Sequence, residues 1–209
     1  MVLLKNIKRI ILSSGFILLS LSLSAQSNET IISAFEKSYQ QEKSGEYKKA
    51  AETLKKVYSD DSYELNLRIG WLLYNAGLFD ESGAHYQKAV NLRPYAIEAK
   101  FGLIYPKTAK GKWVEVENIY TKILEIAPKN SFANYRIGLL YYGQKNYVKA
   151  MNHFSTVLDL YPFDYDALLM SGWTAYFLGK KRDAEVYFNK ALFAKPGDES
   201  ALEGLSYLK

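Results

Sequence analysis

His85 and His153 are the only imidazoles in the chain, and there is no cysteine. Disulfides, cysteine-ligated zinc, thiol catalysis and lipid attachment at a cysteine are therefore excluded. Carboxylates offer a second route to chemistry, because Asp60 with Asp61 and Asp164 with Asp166 look like acid–base dyads. Each pair lies where a helix is expected to begin, and there an acid caps exposed N–H groups and suits the dipole. Glu64, Glu98, Asp166 and Glu203 are spread along the chain, whereas a glycosidase needs two carboxylates on one cleft. No GxSxG, P-loop, GxGxxG or HExxH occurs. The residues read as no enzyme, no metal and no cofactor. What remains is aromatic surface, since Phe, Trp and Tyr make up 15% of the sequence.

The elements that carry those aromatics recur at a fixed interval. Pro94, Pro128, Pro162 and Pro196 are each 34 residues apart, and proline after a helix end is a natural stop. Gly70, Gly138 and Gly172 fall in one column, and Gly45, Gly77, Gly111 and Gly179 in a second. Tyr47, Phe79, Trp113 and Tyr147 share a third, Ala50, Ala150 and Ala184 a fourth, and Leu54, Tyr86, Tyr120, Phe154 and Phe188 a fifth. His85 and His153 occupy one column two periods apart, so they cannot converge on one ion and read as surface or packing residues.

The segment RIGWLLYNAGLFDESGAHYQKAVNLRP from Arg68 resembles the tetratricopeptide repeat almost column by column. That resemblance implies an all-α, right-handed superhelical solenoid of antiparallel helix pairs. Its units would be 31–62, 63–96, 97–130, 131–164 and 165–198, with a half-unit cap at 199–209. Ser62, Asn130, Asp164 and Asp198 stand where a first helix wants its N-cap. Small residues at Gly70, Gly138 and Gly172 should let paired helices approach, with Tyr86, Phe154 and Phe188 filling the space between units. No unit buries its apolar face alone. The cap is expected to place Leu202, Leu205 and Leu208 over Phe188, Ala191 and Leu192.

The third unit departs from the pattern in FGLIYPKTAKGKW. Either Ile104 takes the small-residue column, or Gly102 does and the chain bulges near Pro106; both readings put a kink there. The first unit lacks its proline and is two residues short.

Upstream of the repeats, Lys5, Lys8 and Arg9 precede an apolar run from Ile10 to Leu23 and a small-residue point at Ser24-Ala25. That order reads as a secretory signal peptide over 1–25; the run is too short to span a bilayer. The chain would then be exported, periplasmic or secreted, and the Lys-, Asn- and Tyr-rich composition reads as bacterial. Removing those three cations from the formal +5 leaves +2, too little to argue for nucleic acid.

Positions 2, 5, 9 and 12 of each first helix share one face. Position 9 carries Tyr39, Trp71, Tyr105, Leu139, Trp173 and Tyr207, and position 12 carries Tyr74, Tyr142 and Tyr176. A second apolar stripe beyond the packing stripe is what a binding surface looks like, and in the resembled family this face lines the concave groove. Position 5, with Phe35, Leu67, Phe101, Tyr135 and Leu169, reads mostly as packing. Arg68 and Arg136 at position 6 add two cations suited to a carboxylate or carbonyl. Relatives that clamp C-terminal carboxylates use Lys and Asn where this chain has aromatics, so stacking and apolar contact are expected instead. The expectation is a protein or peptide partner in a cell-envelope assembly, with any membrane or outer-envelope association made through that partner. Two alternatives stay open: a self-associating homo-oligomer, and a glycan-binding protein or accessory subunit of an envelope enzyme.

Overall fold

The computed structural model describes residues 28–209; the signal-peptide reading over 1–25 lies outside them. Among the described residues there are helices and turns and no strand. Helix α1 covers 28–43, followed by α2 (Tyr47–Lys55), α3 (Tyr63–Asn75), α4 (Phe79–Leu92), α5 (Ile97–Ala109) and α6 (Trp113–Ile126). After these come α7 (Ser131–Gly143), α8 (Tyr147–Leu160), α9 (Tyr165–Phe177), α10 (Lys181–Ala194) and α11 (Glu199–Ser206). The described residues form two compact units, one up to Lys110 with α1 to α5 and the other Gly111–Lys209 with α6 to α11. No described helix is long and apolar enough to cross a membrane.

First and second helices begin by different means. Ser62, Asn130, Asp164 and Asp198 each accept a hydrogen bond from the backbone N–H three residues on, satisfying a donor that the helix leaves open. The second helices α2, α4, α6 and α10 have no side-chain cap. The preceding helix instead ends in a left-handed residue. Gly77 has φ +76°, and the next N–H, of Leu78, returns 2.9 Å to the carbonyl of Leu73. Gly45 and Gly179 serve α1 and α9 in the same way.

In the first unit, Leu54, Leu65, Ile69, Leu72 and Leu73 form one core with Ala50 and Ala51. Tyr86 of α4, 3% exposed, packs against Gly70 of α3 and against Gly102 of α5, where an added Cβ would overlap its ring. That settles the register of α5. Ile104, 7% exposed, holds the small-residue column, and the helix runs unbroken through the buried Pro106 with no bulge. Gly102 is small for another reason, as the floor on which the preceding repeat's tyrosine, Tyr86, lies.

In the second unit, Phe154 packs on Gly138, where a Cβ would come within 2.7 Å of its ring. Phe188 lies between Gly172 and Gly204 and is fully buried with Ala184, Ala191 and Ala201. The last helix therefore does cover Phe188, with two of the three expected leucines taking part and Leu202 standing aside. Ala201 and Gly204 are its buried residues, Leu205 and Leu208 pack beside them, and Leu202 stays half exposed at 50%.

Candidate functional site

The nine candidate residues divide between the two units: Tyr39, Arg68, Trp71, Tyr74 and Tyr105 in the first, and Arg136, Tyr142, Trp173 and Tyr176 in the second. Each unit carries its own aromatic patch.

In the first unit, α3 presents Trp71 and Tyr74 one turn apart, and α5 brings Tyr105 beside them. Ring centroids are 6.2 Å apart for Trp71 and Tyr74, 6.0 Å for Trp71 and Tyr105, and 5.3 Å for Tyr74 and Tyr105. Such offset and edge-on pairs prefer these spacings. Tyr105 is 43% exposed and Tyr39 49%, while Trp71 and Tyr74 are half buried. Beneath the patch lies a carboxylate that sequence reasoning passed over. Glu42 of α1 forms a short ion pair with Arg68 and accepts the Trp71 indole N–H at 2.6 Å. The Arg68 guanidinium also lies 3.8 Å from the Tyr39 ring centroid. Arg68 is thus not a cation held ready for a ligand's carboxylate: its charge is met by Glu42, and its side chain is 11% exposed. The Arg68 hydrogen bond, more than any other contact, holds the Glu42 carboxyl below its ordinary pKa, while burial opposes the shift. A signal for this network was present, since Glu42 stands in the column that holds Tyr74, Tyr142 and Tyr176.

In the second unit, Trp173 and Tyr176 of α9 meet Tyr207 just beyond α11, with centroids 6.1 Å apart for Trp173 and Tyr207 and 5.9 Å for Tyr176 and Tyr207. Trp173 also packs edge-on against the buried Phe188 at 5.2 Å and donates its indole N–H to Ser200 Oγ at 2.9 Å. Phe177, absent from the sequence expectation, links this patch to Tyr142 at 6.0 Å and stacks on Tyr147 at 4.8 Å. Tyr207 is 51% exposed and Phe177 48%, with Trp173, Tyr176 and Tyr142 half buried. Arg136 is exposed and lies 5.2 Å from the Phe132 centroid, at the other end of α7 from Tyr142. Phe132, Tyr135, Tyr161, Asp164 and Asp166 surround a cavity of about 310 Å³ at that end.

Trp71 and Trp173 have spent their N–H groups inside the chain, so what they offer outward is ring surface. The position 5 residues are all half buried, as packing would have them.

The residues with acid–base potential serve the fold. His85 donates through Nδ1 to Asn66 Oδ1 at 3.0 Å, and His153 to Asn134 Oδ1 at 2.9 Å. Burial is the main force pushing both imidazoles below their ordinary pKa. Asn66 and Asn134 turn their amides onto the carbonyls of Ser62 and Asn130 at the helix entries. Asp60 does not cap α3, a role that falls to Ser62; its carboxylate pairs with Lys88 and accepts from Tyr58. Asp164 is an N-cap. Among the described residues no three of His, Asp or Glu gather as a metal site would require.

The family model for the tetratricopeptide repeat matches residues 39–97 and 135–199. Among solved structures, a tetratricopeptide repeat protein from Parabacteroides merdae ATCC 43184 is 24% identical, covering 86% of this chain and 72% of its own, with a TM-score of 0.74. MamA from Desulfovibrio magneticus RS-1 is 18% identical over 81% of this chain and 97% of its own, with a TM-score of 0.69. YrrB, a repeat protein with an unusual peptide-binding site, is 14% identical over 88% of this chain and 95% of its own, also at 0.69. At these identities the likeness is one of fold. No match was found among curated proteins.

Proposed function

The chain belongs to the tetratricopeptide repeat family, and from that premise we propose that it is an exported, non-enzymatic scaffold that holds an extended peptide or helix of a cell-envelope partner. The observation that carries this reading is the recurrence of an aromatic patch on the first helices of both units, Trp71–Tyr74–Tyr105 and Trp173–Tyr176–Tyr207, each with an outer tyrosine more than two-fifths exposed. The two indoles, whose N–H groups are already bonded, offer ring faces for stacking and apolar contact, and such aromatics concentrate interface energy. The occupant is an apolar or aromatic segment rather than a terminal carboxylate, because Arg68 is already neutralised by Glu42. Export follows from the basic, apolar and small-residue order over 1–25.

Site-specific photo-crosslinking in the producing cell tests the reading. A benzophenone side chain at Tyr105 or Tyr207 should trap one discrete partner, while the same group at Tyr95, 84% exposed on the link after α4, should not. Tyr105→Ser with Tyr207→Ser should abolish capture of that partner and leave the melting curve unchanged. Capture at Tyr95 alone would move the interface off the first helices. Intact mass decides export: a chain beginning at or near Gln26 supports it, and a full-length chain held in the membrane fraction refutes it.

A further inference from the structure

In the second unit the turns into α8 and α10 lie side by side. Tyr147 at the start of α8 stacks on Phe177 at the end of α9, with 8° between the rings, so the turn into α8 and the turn into α10 form one edge. Lys145, Lys149, Lys180, Lys181 and Arg182 are all exposed along it. None forms an ion pair among the described residues; Lys149 lies over the Tyr141 ring at 4.7 Å. The acids near this edge are Asp183 in the first turn of α10, Glu185 one turn on from Lys181, and Glu117, whose carboxylate is engaged by Tyr141 and Gln144. Between the cations, Phe177 is 48% and Val148 62% exposed.

The fold does not ask for this arrangement. Cations at a helix N-terminus face the positive end of the dipole, the disfavoured sign. The corresponding helix of the first unit opens with Asp80 and Glu81, paired with Lys110 and Lys55. Lys145 is more unusual still. It holds φ +60° in the turn position that Gly45, Gly77 and Gly179 fill elsewhere, a backbone region in which a side chain costs stability. Its own side chain is exposed and adds nothing to the core.

We propose that this edge docks on an anionic lipid membrane, with the five cations on headgroup phosphates and Phe177 and Val148 entering the interfacial layer. Charge complementarity calls for a polyanion, and the apolar side chains set among the lysines favour lipid over an acidic protein segment. The edge lies at the opposite ends of the helices from the cavity beside Phe132 and Asp164, while Phe177 also lies 5.3 Å from Tyr176, so a membrane at this edge would border the aromatic patch. The inference rests on the cations and on the backbone of Lys145 rather than on the reading of the aromatic patches.

Sedimentation with vesicles tests it, using the chain recovered from the exported fraction of producing cells. Vesicles of phosphatidylglycerol and phosphatidylcholine in equal parts should carry the protein down, pure phosphatidylcholine should not, and added salt should weaken the binding. Lys180→Gln with Lys181→Gln and Arg182→Gln should lower the partition coefficient on the order of a hundredfold, at about fivefold per charge. Lys145→Gly should lower it about fivefold while raising the melting temperature, opposite signs that a structural role would not produce. Unchanged sedimentation of the triple variant overturns the proposal. So does binding of soluble polyglutamate without binding of the vesicles, which would assign the edge to an acidic protein.

Discussion

In the first unit the indole N–H of Trp71 donates to a carboxylate that is itself paired with Arg68. In the second, that of Trp173 donates to a neutral serine, and the ring rests on Phe188 and Tyr207. The same repeat column is thus anchored once by charge and once by aromatic packing. An ion pair with little exposure is costly to break from one side, because the surviving charge stays behind. A packed ring instead depends on whatever element closes over it. The first patch should therefore respond to protonation and the second to removal of α11.

The largest effect should come from deleting residues 199–209. Phe188 would lose Ala201, Gly204 and Leu205 on one side, a cavity-scale loss of about 3–5 kcal/mol. Urea unfolding with circular dichroism and light scattering measures it; an unchanged curve with monodisperse protein would mean that the fifth unit needs no cover.

Next in size is Glu42→Ala, which strands the Arg68 guanidinium and should cost about 2–4 kcal/mol. Its counterpart Ser200→Ala removes one neutral hydrogen bond from Trp173 and should cost about 1 kcal/mol. Equal losses in chemical denaturation would erase the distinction between the two anchors.

Acid should separate the units in the same order. The folded-state pKa of Glu42 is depressed, so its contribution is complete above the ordinary value of 4.5 and is lost as pH falls through the lower folded value. In the second unit Asp198 is held at about 2, chiefly by the Tyr165 hydroxyl and then by Lys195, so the cap of α11 should survive to lower pH. A titration followed by the indole fluorescence of two double variants, Trp113→Phe with Trp173→Phe and Trp71→Phe with Trp113→Phe, should lose the Trp71 signal before the Trp173 signal; the reverse order would count against both assignments.

Two glycines give a contrast in sign rather than in size. Gly172→Ala puts a Cβ 2.6 Å from the Phe188 ring and should destabilise by about 1–3 kcal/mol. Gly83→Ala in α4 meets only Pro106, at 4.0 Å, and should stabilise by about 0.4–1 kcal/mol. Thermal melts of the two variants should move in opposite directions.

Most of the architecture was legible in the chain because it is local and repeated. The caps at Ser62, Asn130, Asp164 and Asp198 act within three residues, and the pairing of Gly138 with Phe154 and of Gly172 with Phe188 recurs at one spacing. The ring stripe of Trp71, Tyr74 and Tyr105 was readable from helical spacing within α3 together with the 34-residue repeat. Which polar groups meet was not. Arg68 and Glu42 are 26 residues apart and Trp71 and Glu42 are 29 apart, and a lone glutamate in an aromatic column carries no mark of the arginine it will neutralise. Leu202 and Ala201 share α11, yet only the packing against Phe188 decides that the smaller one is buried. A basic edge was hidden in a near-neutral total because net charge sums over the chain, whereas the tertiary structure sets the turns before α8 and α10 next to each other. The sequence by itself determined the repeat, its helices and its aromatic face through short-range periodicity. The neutralised arginine, the buried face of the last helix and the clustered cations were decided by tertiary contact, because each depends on groups that only the folded chain brings within a few ångströms.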